Sequence, residues 1–291
     1  MFASIHHSMR LTATLFTATL LLLATPAHAQ SVAMVTDATG KAVRLGGANP
    51  APVAILAELA ADTRVQLEDG ARVTVLLLQS GDEYILEGPA LVSFAAREPV
   101  ALSGNAPRKR AGAPARAGDV RITRGAVTQA AIVMRSLRVT SRIRLLNLNN
   151  TRSLTPDAGF RWAGDEDGAR YTFELFDDTG KSLYQTEVTA TTLRLPADVQ
   201  LRDSTGYTWG VSARLSDGRR YVSHGDFTIA SADLRARVEA ARPAPDAAVS
   251  DRVVYAAWLD QMELRDEARG YWRTLVQERP EDAGLKRQAG E

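Results

Sequence analysis

Few residues of this chain could do covalent or acid–base chemistry. It has no cysteine, and of its four histidines three, His6, His7 and His28, fall in the first 29 residues. The fourth, His224, stands beside Ser223 and near Asp226, the side-chain types of a nucleophile, a general base and an orienting acid. A working set needs the base within hydrogen-bond reach of a nucleophile and of an orienting group. Without a second histidine after the leader, His224 reads as a loop residue. Gly180-Lys181-Ser182 ends like a phosphate-binding loop, but Leu175 occupies the position of the upstream glycine. Asp177 to Gly180 therefore reads as a plain turn. Asp165-Glu166-Asp167-Gly168 has the start of a calcium loop without its closing acidic ligand, and reads as an exposed acidic turn. No catalytic residue, cofactor or metal site is expected, and the chain reads as a binding protein rather than an enzyme. A glycosidase pair of carboxylates is a further reading that sequence spacing cannot display.

What remains is electrostatic. Residues 103–119 shift to Gly, Ala, Pro and Arg, with Arg108, Lys109, Arg110 and Arg116 and no acid before Asp119. Such a stretch reads as a linker, because it holds little apolar surface to bury. Its four cations are candidate contacts for an anionic cell-wall polymer, against the plainer reading of a solvated connector. Over the whole chain 35 basic residues face 34 acidic ones. That balance leaves no global field to attract nucleic acid.

The elements that would carry these residues begin with an export signal over 1–29. Arg10 precedes the apolar run Leu11 to Leu23, and Ala27-His28-Ala29 supplies the small-residue cleavage site before Gln30. This run of thirteen residues falls short of the roughly 20 a membrane-spanning helix needs. A periplasmic protein with no integral membrane segment after cleavage is expected.

Residues 30–102 read as an antiparallel β roll. Short apolar runs are separated by Thr36 to Lys41, Glu68-Asp69-Gly70-Ala71, Ser80-Gly81-Asp82-Glu83 and Glu87-Gly88-Pro89. Asp-Gly pairs suit the positive φ angles of tight hairpins. The motifs Leu67 to Gly70 and Tyr84 to Ala90 resemble the FecR-like periplasmic domain. That resemblance implies an antiparallel β module outside the cytoplasm. Residues 120–153 form a β-rich transition, in which Val139, Ser141, Ile143 and Leu145 share one side of an expected strand.

Over 154–230 the pattern resembles a fibronectin type III or related immunoglobulin-like sandwich. Phe160 and Trp162 alternate on one strand, Tyr171 to Phe176 form the next, and Tyr207, Trp209, Val211 and Ala213 line one side of a later one. From 231 to 291 the period changes to that of helices. Ala232 to Ala241 forms one, and two more carry the stripes Val254, Tyr255, Trp258, Leu259, Met262 and Ala268, Tyr271, Trp272, Leu275, Val276. Ala256, Leu259, Ala268, Trp272 and Pro280 make this pair similar to a single tetratricopeptide-type hairpin. A lone repeat cannot bury its own face, so that face packs either on the β modules or on another protein. The fold class expected is mainly β, two antiparallel modules with a helical C-terminal hairpin in a multidomain chain. The expected function is a non-enzymatic scaffold of the cell envelope that binds a protein partner, the alternative being a peptidoglycan- or polysaccharide-binding module.

Overall fold

The computed structural model describes residues 31–46, 50–95, 97–110, 142–157 and 159–290. The expected export signal and Arg116 lie outside the described residues. Ten strands build the first module: β1 (Ser31–Thr39), β2 (Ala42–Leu45), β3 (Ala51–Pro52), β4 (Glu58–Ala60), β5 (Arg64–Leu67), β6 (Arg72–Leu77), β7 (Glu83–Glu87), β8 (Ala90–Phe94), β9 (Pro99–Gly104) and β10 (Arg108–Lys109). They form one sheet in the order β10-β7-β6-β1-β4 and a second in the order β3-β2-β5-β8-β9. Val35, Val73, Val75, Leu77 and Leu86 of the first pack with Val65, Leu67, Val92 and Phe94 of the second.

Three of the four turns are corners between sheets rather than hairpins. Gly70 does adopt a positive φ of 72°, but β5 and β6 belong to different sheets. The Thr36 to Lys41 and Glu87 to Pro89 turns likewise carry the chain from one sheet to the other. These corners stack at one end of the module. Glu68 N–H donates to Lys41 O at 3.0 Å and Gly88 N–H donates to Ala71 O at 2.8 Å. A Cβ on Gly88 would lie 1.8 Å from Glu68 O, and one on Gly40 would lie 2.7 Å from Ala71 Cα. Glycine is required there because backbone meets backbone. The Ser80 to Glu83 turn alone of these is a hairpin, joining β6 to its partner β7.

The linker expected over 103–119 is displaced. Ser103 and Gly104 finish β9, and Arg108 and Lys109 form β10, paired antiparallel with β7. Apolar content could not reveal this strand, because ladder hydrogen bonds and acidic neighbours on β7 hold it rather than burial. Residues 111–119 lie outside the described residues.

Eight strands make the second module: β11 (Ile143–Leu145), β12 (Thr151–Ser153), β13 (Phe160–Gly164), β14 (Tyr171–Asp177), β15 (Ser182–Val188), β16 (Thr192–Leu193), β17 (Gly206–Arg214) and β18 (Arg220–Ile229). The sheets β11-β13-β16 and β12-β18-β17-β14-β15 face each other as a β-sandwich. Every pairing is antiparallel except β12 with β18. Phe160, Trp162, Tyr171, Phe173, Trp209 and Phe227 fill the core. Phe160 meets Phe173 and Trp209 edge-on at 4.9 and 5.1 Å, a geometry that aligns ring edges with ring faces. The module starts earlier than residue 154. Ile143 is fully buried in the aromatic core, so β11 and β12, placed above in the transition, are its first strands. Residues 120–141 lie outside the described residues.

Four helices follow: α1 (Ala232–Ala241), α2 (Val249–Gln261), α3 (Arg265–Glu278) and α4 (Ala283–Ala289). Ser231 caps α1, its hydroxyl accepting from Leu234 N–H at 3.2 Å. The last helix follows Pro280 and extends the chain past the expected hairpin. Asp282 starts it by accepting from the N–H groups of Gly284 and Leu285 at 2.8 and 3.0 Å.

Candidate interaction site

The apolar stripes of α2 and α3 are used inside the molecule. Trp258, Leu259, Trp272 and Leu275 share one core with Met34 and Leu76 of β1 and β6, and with Ile55 and Leu56 of the β3–β4 loop. This resolves the choice left open for the hairpin face. It also explains the unbroken apolar run of β6, whose residues 73, 75 and 77 face the roll's core while Leu76 faces the helices.

Polar contacts bolt the tail to both modules. On the roll side, Arg110 forms a two-pronged pair with Asp251 of α2, both bonds at 2.8 Å. The same guanidinium reaches Glu83 at 2.7 Å and Ser250 Oγ at 2.8 Å. Glu83 is only 1% exposed and also accepts from Thr36 Oγ1 at 3.2 Å. Burial pushes its carboxyl above the usual glutamate range, opposed by Arg110, while Asp251 across the junction adds to the rise. The guanidinium is raised by its bond to Asp251 and stays charged. Arg279, at the end of α3, pairs with Asp37 at 3.2 Å. Asp282 turns its second oxygen to Ile55 N–H at 2.8 Å, so one carboxylate caps α4 and grips the roll.

On the sandwich side the contacts gather at the α2–α3 turn. Asp266 accepts from Leu148 N–H at 2.8 Å, and Thr151 Oγ1 accepts from Arg265 N–H at 3.1 Å. Arg152 N–H donates to Glu263 O at 2.7 Å, its guanidinium pairs with the Glu263 carboxylate at 3.1 Å, and Arg265 donates to Asn150 O. Leu148 O in turn accepts from Trp209 Nε1 at 2.7 Å in the sandwich core. Within the hairpin Trp272 Nε1 donates to Asp260 at 2.7 Å. Burial pushes the Asp260 carboxyl up to about 6 against that bond. The sequence pattern assigns none of these residues to a junction: Arg110 reads as a polymer contact, and Trp209 and Trp272 as core.

The candidate polymer contacts are also occupied. Arg108 lies 2.7 Å from Glu87, Lys109 lies 2.8 Å from Asp82, and Arg110 is held as described. The structure brings these three together along one edge of the roll, each with its own carboxylate.

His224 lies in β18 rather than in a loop. Ser223 points to the opposite face of the sheet, and Asp226, on the same face as His224, is engaged elsewhere. Ser223 Oγ donates to Ile143 O, and Asp226 accepts from Thr208 Oγ1 at 2.7 Å. The Asp177 to Gly180 turn is as read, with Asp177 Oδ1 accepting from Thr179 and Lys181 N–H. Glu166 of the acidic turn accepts from Ser216 N–H at 2.9 Å. No group of three or more acidic or histidine side chains is arranged to hold a metal among the described residues. No helix among them is long and apolar enough to cross a membrane.

No family model matches the chain, and no curated protein does. Three solved structures share parts of its shape. CopC from Methylosinus trichosporium OB3b is 18% identical with a TM-score of 0.25, over 31% of this chain and 95% of CopC. The fn3 domain of human collagen alpha-1(XX) chain is 19% identical with a TM-score of 0.25, over 38% of this chain and 90% of that domain. PorZ, a surface component of the type-IX secretion system of Porphyromonas gingivalis, is 15% identical with a TM-score of 0.21, over 62% of this chain and 24% of PorZ. At these scores none of them assigns the chain a family.

Proposed function

We propose that this chain is a non-enzymatic, periplasmic scaffold of the cell envelope that binds a protein partner. Its parts in this reading are a FecR-like roll, a fibronectin type III-like sandwich and a tetratricopeptide-like hairpin. One observation carries it: the hairpin buries its aromatic stripe against the roll and is hydrogen-bonded to both β modules. A tail spent on fixing two β modules relative to each other suits a frame that displays surfaces. The partner contacts then fall to the outer faces of the β modules rather than to the hairpin. An anionic cell-wall polymer held by Arg108, Lys109 and Arg110 has less support, because Glu87, Asp82, Glu83 and Asp251 already face those cations.

The test is photo-crosslinking in whole cells, with a reactive side chain placed singly at the exposed positions Leu146, Val222 and Val100. A discrete protein adduct at one or more of these positions is expected. Loss of a cell-wall sugar substrate on incubation with the purified chain, abolished by one carboxylate replacement, would refute the reading, as would the absence of any adduct.

A further inference from the structure

The roll has two outer faces, and the tail packs on only one. Part of the β10-β7-β6-β1-β4 face lies under the helices, where Met34 and Leu76 join the helical core. None of the outward-facing apolar residues of β3-β2-β5-β8-β9 joins a core cluster among the described residues. Cross-strand pairing fixes what that face presents. One row runs Leu45–Arg64–Ser93–Val100 and the next runs Val43–Gln66–Leu91–Ser103. Leu102 is the extra residue where the β8–β9 register shifts. Val100 and Leu102 are 46% and 50% exposed, the highest values among the exposed large apolar residues described.

Charge is distributed unevenly over the roll. Lys41, Arg72, Arg108, Lys109 and Arg110 each have a carboxylate within 4.0 Å. The exposed side chains of Arg44, Arg64 and Arg97 have no ion-pair or hydrogen-bond partner among the described residues, and of the three only Arg64 lies in these two rows. Neither row carries a carboxylate. The face therefore offers leucine and valine side chains around one uncompensated guanidinium, and arginine is a residue type enriched at the energetic centres of interfaces. The edge beside it is less suited to accepting a strand. Pro99 begins β9 without an N–H, and the bulge at Leu102 breaks the ladder.

Resting on the scaffold reading and deepening it, we infer that this face docks a protein segment presenting apolar side chains around a carboxylate. The carboxylate meets Arg64, and the apolar side chains cover Leu45, Leu91, Val100 and Leu102. A polysaccharide would leave the leucine surface without a use, and no aromatic ring lies in the two rows for a sugar to stack on.

The probes are two soluble peptides, identical except that the residues between their leucines are glutamate in one and lysine in the other. They are titrated into isotope-labelled full chain and followed by amide shifts. The glutamate peptide is expected to bind about tenfold tighter than the lysine peptide, a difference of about 1.4 kcal/mol. The shifts should fall on Arg64, Leu91, Val100 and Leu102. Arg64→Glu, at an exposed site that no packing depends on, should invert the preference. Equal binding of the two peptides, shifts on other strands, or an unchanged preference in Arg64→Glu would each overturn the inference. So would binding to anionic lipid vesicles without peptide discrimination, or a concentration-dependent dimer abolished by Val100→Asp. A cellular adduct formed through Val222 but not Val100 would leave the scaffold reading intact and sink this surface.

Discussion

Gly284 is the position where the last helix touches the roll most closely, and replacing it with alanine tests how the tail is seated. A Cβ there would lie 1.9 Å from Ile55 O and 3.0 Å from Ile55 C and Asp282 Oδ1. No rotamer relieves a clash between two backbones, so α4 must move away. Overpacking of this kind costs about 1 to 3 kcal/mol. The shift also strains the charged bond from Ile55 N–H to Asp282, worth about 1.5 to 3 kcal/mol when lost. Alanine returns up to about 1 kcal/mol through its helix propensity. The net loss expected is about 2 to 4 kcal/mol. Gly270 supplies the control, being an exposed helical glycine of α3 with nothing within 4 Å of its added Cβ. Gly270→Ala should stabilise by about 0.5 to 1 kcal/mol. Urea unfolding of both variants, with hydrogen exchange followed at Ile55 and Leu56, measures the pair. If Gly284→Ala matches the parent in midpoint and leaves exchange at Ile55 unchanged, the docking described for α4 is wrong.

Three further outcomes are expected. Asp260 is held near 6 by burial, above its value of 3.8, so the stability it permits is fully present below 3.8 and is lost as pH rises through about 6. Because the side chain keeps some exposure, Asp260→Asn should stabilise by about 1 to 3 kcal/mol above that window and by nothing below it, as pH-dependent melting would report. Asp251→Ala strips Arg110 of its two-pronged partner and should cost about 2 to 3 kcal/mol, read from urea midpoints. Trp209→Phe leaves Leu148 O without its donor and opens a void in the sandwich core. It should cost about 2 to 4 kcal/mol by thermal or urea unfolding, with exchange raised at residues 148 to 152.

Alternation made the sandwich legible, because Phe160, Trp162, Tyr171, Phe173 and Trp209 sit at period-two positions that only a packed pair of sheets can bury. The helical stripes were equally plain, since Trp258 and Trp272 recur with their neighbours at i, i+3 and i+4. What stacked against them was not legible. The apolar run of β6 held a signal, for a strand buried on both faces announces a second layer, but it does not say which one. Asp69-Gly70 identified a turn and not its destination, as a positive φ serves a corner between sheets as well as a hairpin. Arg108 and Lys109 read as part of a linker because β10 is held by pairing and carboxylates, which leave no mark in hydropathy. The seating residues Asp266 and Asp282 act through backbone N–H groups far away in sequence, and no local pattern encodes such a partner.

Helix α3 holds a different module at each end, the sandwich through Asp266 and Arg265 and the roll through Arg279. Its 14 residues act as a gauge of about 21 Å at 1.5 Å per residue. One residue inserted in its middle would swing one grip by about 100° around the helix axis relative to the other. The register between the two β surfaces is thus written in the length of a single helix, and an insertion there should leave each module folded while misaligning anything that must span both.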